Sequence, residues 1–371
     1  MPFFLKHHFD PDWDSSKLTP EEQADGSVNH HELNFVNNVS KGDIIAEWVD
    51  MEDGEKFDPR FVFDDKDFPA GRGTGIRQRF PDKLFAAVDG YVCYKEGKIV
   101  VRQTLTIHCD VDYHTGNVDF VGNVSVEGSI RSGFAVRGVK VTIAGQVEGA
   151  RVEATRNLNC HGGVKGGKTA YLEAGHDLKL AYCEYATLMA KNDILIKGAL
   201  MHSNVYAGKR LAVGGRLTGG NVSAYEYIYI GGQLGGGLDT DTSLIMGYNP
   251  SLLHADEEYN KRIKILHDDI ASFEKVLNKG DEFHAEFKPK LESAIKELDL
   301  LKALKVKLWE GIYATERLEE CKVLVPGVVK PGVEISIGSA FLKVDDFLED
   351  VYFYYDNDEV KIGASTEKIK R

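Results

Sequence analysis

The sequence has no apolar run near the ~20 residues of a membrane-spanning helix, so no helical span is expected. Its opening stretch, MPFFLKHHFDPDWD, turns acidic after a few residues, which argues against a secretory signal and for a cytoplasmic location. Basic charge is in deficit: 45 Lys+Arg stand against 58 Asp+Glu, a net charge of −13. Phosphate backbones and anionic lipids both demand a basic face, so general nucleic-acid binding and membrane docking are not expected. Cysteine is sparse, and the five residues (Cys93, Cys109, Cys160, Cys183, Cys321) form no CxxC and an odd count. That predicts reduced thiols serving as small core residues. Proline is scarce, 10 residues against 38 glycines, which suits a turn-rich fold rather than disorder. Neither GxSxG nor HExxH occurs.

What the chain does have is a repeat of about seventeen residues between positions 118 and 236. The apolar pair Val124 and Val126 returns as Val141 and Ile143, Leu158 and Cys160, Leu178 and Leu180, Ile194 and Ile196, Leu211 and Val213, Ile228 and Ile230. A second register runs through Val136, Val152, Leu172, Leu188, Val205 and Val222. A third places glycine two residues beyond most pairs: Gly128, Gly145, Gly162, Gly198, Gly215 and Gly232. Local alternation such as Val-Ser-Val is strand spacing with one face inward. Each unit is too short for a helix pair, so the chain is read as a β-solenoid whose coils pair with their neighbours. The glycines are assigned to turns, supplying positive φ and close coil approach. The strict six-residue beat of left-handed solenoids is missing, which favours a right-handed parallel β-helix. The fold class is therefore mainly β, with a small N-terminal domain and a helical insertion.

Boundaries follow from texture. Residues 1–80 form an N-terminal α+β or irregular domain, and 81–117 form hairpins leading into the β-helix at 118–250. From 251 to 321 the sequence turns Lys-, Glu- and Leu-rich. Tyr259, Ile263, Leu266, Ile270, Phe273 and Leu277 mark one face of a helix. Asn278-Lys279-Gly280-Asp281 breaks it, and a second helix starts near Pro289, with Leu291, Ala294, Leu298, Leu301, Leu308 and Ile312 on its seam. Two such helices predict an antiparallel coiled-coil hairpin, an arm about 25 residues or 40 Å long. Residues 322–371 return to strands that cap or flank the solenoid.

Motifs with chemical potential weigh in favour of structural roles. The pairs His7-His8 and His30-His31 lack the Cys or carboxylate companions of a metal site. PAGRGTG at 69–75 lacks the GKS or GKT ending of a phosphate loop and reads as a turn. Asp110-Val111-Asp112-Tyr113-His114 is acidic, but neighbouring coils carry no matching set; Arg137, Lys140, Arg151, Glu153 and Arg156 are mixed in sign. His202-Ser203 and the scattered His108, His161 and His176 show no nucleophile–base pattern. No catalytic residue, metal ligand or cofactor is assigned, and the protein is read as a non-enzyme.

The stretch DVDYHTGNVDFVGNVSVEGSIRSGFAV (110–136) resembles the flagellar assembly protein A family of bacterial proteins. So do QVEGARVEA (146–154), MHSNVYAG (201–208), GGRLTGGNVSAYEYI (214–228), TSLIMGYNP (242–250) and PGVEISIG (331–338). The likeness runs from about 81 to 371, and 39–76 is similar to a shortened form of that family's N-terminal region. The resemblance implies a cytoplasmic, non-enzymatic right-handed β-helix protein linked to flagellar assembly. The solenoid is also similar in fold to the septum-placing inhibitor MinC and to filament-forming bactofilins. The expected role is a scaffold or adaptor that binds protein partners, or a second copy of itself, through the coiled-coil arm and solenoid faces. The alternatives are a self-assembling structural β-helix and, third, a polysaccharide-active enzyme.

Overall fold

The computed structural model describes residues 2–13, 31–33, 35–51, 57–236, 240–280, 283–313 and 317–364. The chain is mainly β: a β-solenoid of about 8 turns with coils of about 17 residues, N-terminal sheets and two helices. It divides into two compact units, Met1–Thr187 and Leu188–Arg371.

The first unit opens with a five-stranded antiparallel sheet in the order Val62–Phe63, Phe3–His7, Ile44–Asp50, Phe80–Ala86, Thr74–Arg77. A second sheet joins Asn38–Val39, Gly90–Lys95 and Lys98–Arg102. Alternating residues of both sheets, among them Leu5, Ile45, Trp48, Leu84, Val92 and Ile99, close one buried cluster. In the N-terminal region, read as α+β or irregular, the described residues before position 80 hold short strands, one 3-10 turn at Pro59–Phe61 and no α-helix. The boundary at 80 is also crossed, because Phe80–Ala86 pairs with Ile44–Asp50. Short strands stabilised by partners far along the chain leave little periodicity of their own, so the boundary did not show.

The solenoid begins earlier than its repeat, with Thr104–Ile107 as a rung. Leu105 stacks on Val124, Val141, Leu158 and Leu178 in parallel register, and Ile107 on Val126, Ile143, Cys160 and Leu180. A second line of rungs carries Val118, Val136, Val152 and Leu172, and a third carries Val111, Ile130, Val147 and Val164. These side chains are almost fully buried, each contributing about 1.5–3 kcal/mol of apolar burial.

The second unit stacks its own coils in the same manner. Ile194–Ile196, Arg210–Val213, Tyr227–Ile230 and Lys322–Val329 stack in parallel, as do Asn204–Ala207, Gly220–Ala224, Thr242–Met246 and Val333–Ile337. The two helices lie between Met246 and Lys322. Ile228 nonetheless meets Val323 as though no insertion intervened. The last coil is then covered by antiparallel strands, Ala340–Lys343 on Val333–Ile337 and Leu348–Asp356 on Lys322–Val329, with Glu359–Ala364 outermost. Reversing direction pairs the backbone edge that a parallel stack would leave open.

The repeating glycines form a ladder. Gly145 N–H donates to Gly128 O at 3.0 Å, Gly162 to Gly145 at 3.1 Å, Gly215 to Gly198 at 3.0 Å and Gly232 to Gly215 at 2.9 Å. A Cβ on Gly162 would sit 2.2 Å from the Gly145 carbonyl oxygen, and one on Gly145 2.5 Å from that of Gly128. Gly327 continues the ladder beyond the helices, its added Cβ meeting the Gly232 oxygen at 1.7 Å. The expected positive φ is not at these positions; it falls at other glycines, including Gly133, Gly149, Gly163 and Gly219. What the ladder needs is the missing side chain, because carbonyls of successive coils close to contact distance there. Where the step lengthens to twenty residues, Tyr182 takes the glycine place and its ring lies against Gly163.

Gly162→Val should cost about 2–4 kcal/mol of stability, as overpacking against an immovable backbone does. Gly97→Ala, at φ 75° with open space around it, should cost about 1 kcal/mol through strain alone. Urea denaturation of both variants checks the ranking, and the reverse order would contradict the ladder.

Candidate functional site

The conspicuous appendage is the helical arm of the second unit. Helix α1 (Pro250–Leu277) starts at an Asn249 cap that accepts the Ser251 N–H at 3.0 Å, with proline in the first turn where no amide proton is needed. Helix α2 spans His284–Tyr313 and so begins five residues before Pro289. Proline forfeits one helical hydrogen bond there. Packing compensates: Phe287 lies 5.9 Å from Phe273 and 6.5 Å from Phe283, ring centre to ring centre. Asp281 of the expected break lies outside the described residues.

The helices run antiparallel. Arg262 grips Glu297 through two hydrogen bonds of 2.7 and 2.8 Å, Lys305 reaches Asn260, and Trp309 reaches Asp256. Leu266, Ala294 and Leu298 are buried between them, with Ile263, Ile270, Phe273 and Leu301 packed around. Tyr259, Leu291 and Leu308 are half-buried along the same faces. A second apolar set stays exposed: Ile265 on α1 and Ile295, Leu300, Leu304, Val306 and Tyr313 on α2.

The arm is fixed at its root. Tyr206, on the solenoid strand Asn204–Ala207, donates its hydroxyl to Glu257 at 2.6 Å and meets the His254 ring edge-on at 4.8 Å. Asp256 is buried beside it, accepting from Trp309 Nε1 and Asn260 Nδ2 at 2.9 Å each, with Lys305 Nζ at 3.7 Å. Nothing in the periodicity flagged Asp256; an acid on the apolar side of a helix was the available signal.

The side chains that looked chemical are occupied structurally. Asp110 accepts the Ser129 N–H at 2.7 Å and pairs with Arg131, whose other arm holds Glu148 one coil on. The backbone bond first, then Arg131, holds the Asp110 carboxyl below the usual carboxylate range. Asp112 caps its own turn through the His114 N–H. Arg137 pairs with Glu153 at 2.9 Å, Arg151 stacks on Tyr171, and His108 meets Glu127 at 2.9 Å. Ser203 donates to the Met201 carbonyl. Cys160 is buried and its thiol is pushed up to about 11 by that burial. His30 lies outside the described residues. Residues 162–169, GGVKGGKT, spell a phosphate-loop pattern, yet Val164–Ala174 is a continuous strand with no helix after it, so the motif lacks its context. Among the described residues no group of three or more His, Cys, Asp or Glu could hold a metal ion, and no helix is long and apolar enough to cross a membrane.

With this geometry in place, known proteins supply the family. The Flagellar Assembly Protein A β-solenoid domain matches residues 103–360, well over half of the chain. The chain belongs to the flagellar assembly protein A family. The matched span opens at the first solenoid rung, includes both helices and ends in the last strand pair. The family is one of structural and assembly proteins and carries a flagellar-assembly-related role. No curated protein and no solved structure matches the chain.

Two expectations follow. Asp256→Ala strips the half-buried Trp309 N–H of its acceptor and should loosen the arm root by about 1–3 kcal/mol. Amide exchange should speed up in α1 and α2 and stay unchanged in the solenoid rungs. His7 is half-buried among Phe9, Phe61 and Tyr94, and its pKa is lowered to about 4, chiefly by that partial burial and then by Arg60. The unfolded chain takes up this proton near pH 6.5 and the folded chain only near 4. Stability is therefore full above pH 6.5 and declines as pH falls towards 4; His7→Phe should flatten that part of a denaturant-midpoint profile.

Proposed function

We propose that this family member is a cytoplasmic, non-enzymatic scaffold in flagellar assembly or flagellar placement, docking protein partners on its helical arm and solenoid faces. The observation that carries the reading is the arm itself. Seventy-five residues leave the solenoid after Met246 and return at Lys322 without disturbing coil register. At 1.5 Å per residue, the 28 residues of α1 reach about 42 Å. The exposed apolar row of Leu300 and Leu304, four residues apart on one face of α2, suits contact with a partner's helix. Such a row costs solubility on a surface without a partner. The non-enzymatic reading draws support from carboxylates, arginines and histidines already committed to ties between and within coils.

The test is genetic and biochemical together. Deleting the gene and counting flagella by electron microscopy should reveal missing or misplaced flagella, restored by the intact chain. A chain lacking residues 258–316, closed by a Gly/Ser linker, should keep solenoid stability and fail to restore them. Normal flagella in the deletion strain, or full rescue by the armless chain, would sink the proposal.

A further inference from the structure

A basic cleft interrupts the acidic surface. Between residues 67 and 103 the chain carries seven basic side chains (Arg72, Arg77, Arg79, Lys83, Lys95, Lys98, Arg102) and four acidic ones, although the whole protein stands at −13. In the first unit, Arg72, Lys95, Lys98 and Arg102 line an open cleft of about 960 Å³. All four are exposed, and among the described residues none meets a carboxylate. Glu96 is the one acid in the lining, leaving a local surplus of three.

The cleft is shaped by the fold. The PAGRG segment runs along the edge of Lys98–Arg102: Gly71 N–H donates to Ile99 O at 2.9 Å and Val101 N–H to Arg72 O at 2.9 Å. A Cβ on Gly71 would meet Val100 Cγ1 at 2.5 Å, so glycine keeps the floor open over Val100. Glu96 and Gly97 form a two-residue turn, both at positive φ, that sets Lys95 directly opposite Lys98. Like charges in that register repel, with Glu96 the one acid in the lining beside them. Lys98 and Arg102 are four residues apart on one strand, about 13 Å, a span suited to an extended acidic segment rather than one phosphate.

The second unit presents the complement. Asp345, Asp346 and Glu349 are exposed, meet no cation among the described residues, and surround Phe347, which is 68 % exposed. A deficit of three with an apolar centre matches a surplus of three around an apolar floor.

We infer that the Asp345–Glu349 segment of a second copy, a loop running into the strand Leu348–Asp356, seats in the basic cleft, Phe347 over Val100 and its acids against Arg72, Lys95, Lys98 and Arg102. The two patches differ, so the contact is heterologous and propagates into a ring or a filament. This goes beyond arm docking, and the two ideas fail separately, since removing 258–316 leaves both patches in place.

Sedimentation velocity on the full chain over a concentration series tests it. Association should weaken as salt rises from about 0.1 M to about 0.5 M, because screening then cuts the Debye length from ~10 Å to about 4 Å. Lys95→Glu/Lys98→Glu and Asp345→Lys/Asp346→Lys should each weaken it about tenfold or more, with unchanged thermal melts. Mixing the two variants brings each reversed patch against an opposite charge and should restore assembly. A wild type that stays monomeric, an oligomer indifferent to both variants, or a mixture that fails to reassemble overturns the inference.

Discussion

Everything in this molecule depends on parallel coils stacking in register at backbone contact distance. Hydrogen bonds between successive coils satisfy the main chain, and the inward side chains fill the interior in columns: Val124 on Val141, Leu158 on Leu178. The glycine ladder sets the closest approach. A single Cβ there meets a carbonyl that belongs to the coil ladder and cannot step aside. Stability is thus distributed along the stack, with nearest-neighbour contacts as its unit.

That distribution explains how the stack tolerates a large insertion. Gly327 and Val323 find their places over Gly232 and Ile228 after a long excursion, because the coil below presents a complete template of carbonyls and apolar columns. The arm is then free to be shaped by other demands. It is held by Tyr206, Glu257, His254 and the buried Asp256, while its length is stabilised by its own helix-to-helix packing. Charged residues on the coils, meanwhile, tie neighbours together: Arg131 spans Asp110 and Glu148, and Arg137 reaches Glu153.

Much of this was legible in the sequence because a solenoid writes its geometry into spacing. Val124, Val141 and Leu158 recur at the coil length, and the Ile263-to-Phe273 stripe recurs at the helical one. The first rung escaped because Leu105 precedes Val124 by nineteen residues rather than seventeen. Gly327 obeys the ladder rule, two residues beyond Val325, but ninety-five residues separate it from Gly232. Glycine's purpose was also ambiguous: spacing marks where a side chain is forbidden, not whether conformation or contact forbids it. The basic cleft was hidden by arithmetic and distance. A net charge of −13 masks a local surplus, and Arg72 joins Lys95, Lys98 and Arg102 only once PAGRG lies along their strand. PAGRGTG does turn, at Arg72–Gly73, and its first residues also lie along the edge of Lys98–Arg102.

The central claim is that the second unit combines a continuous stack with an energetically separate arm. Native-state hydrogen exchange on the full chain measures this directly. The account predicts that Tyr227–Ile230 and Lys322–Val329, on either side of the insertion, exchange through one shared, high-energy opening, while α1 and α2 exchange through a distinct and lower one. A single protection level across arm and rungs, or rungs after the insertion that open independently of those before it, would contradict it.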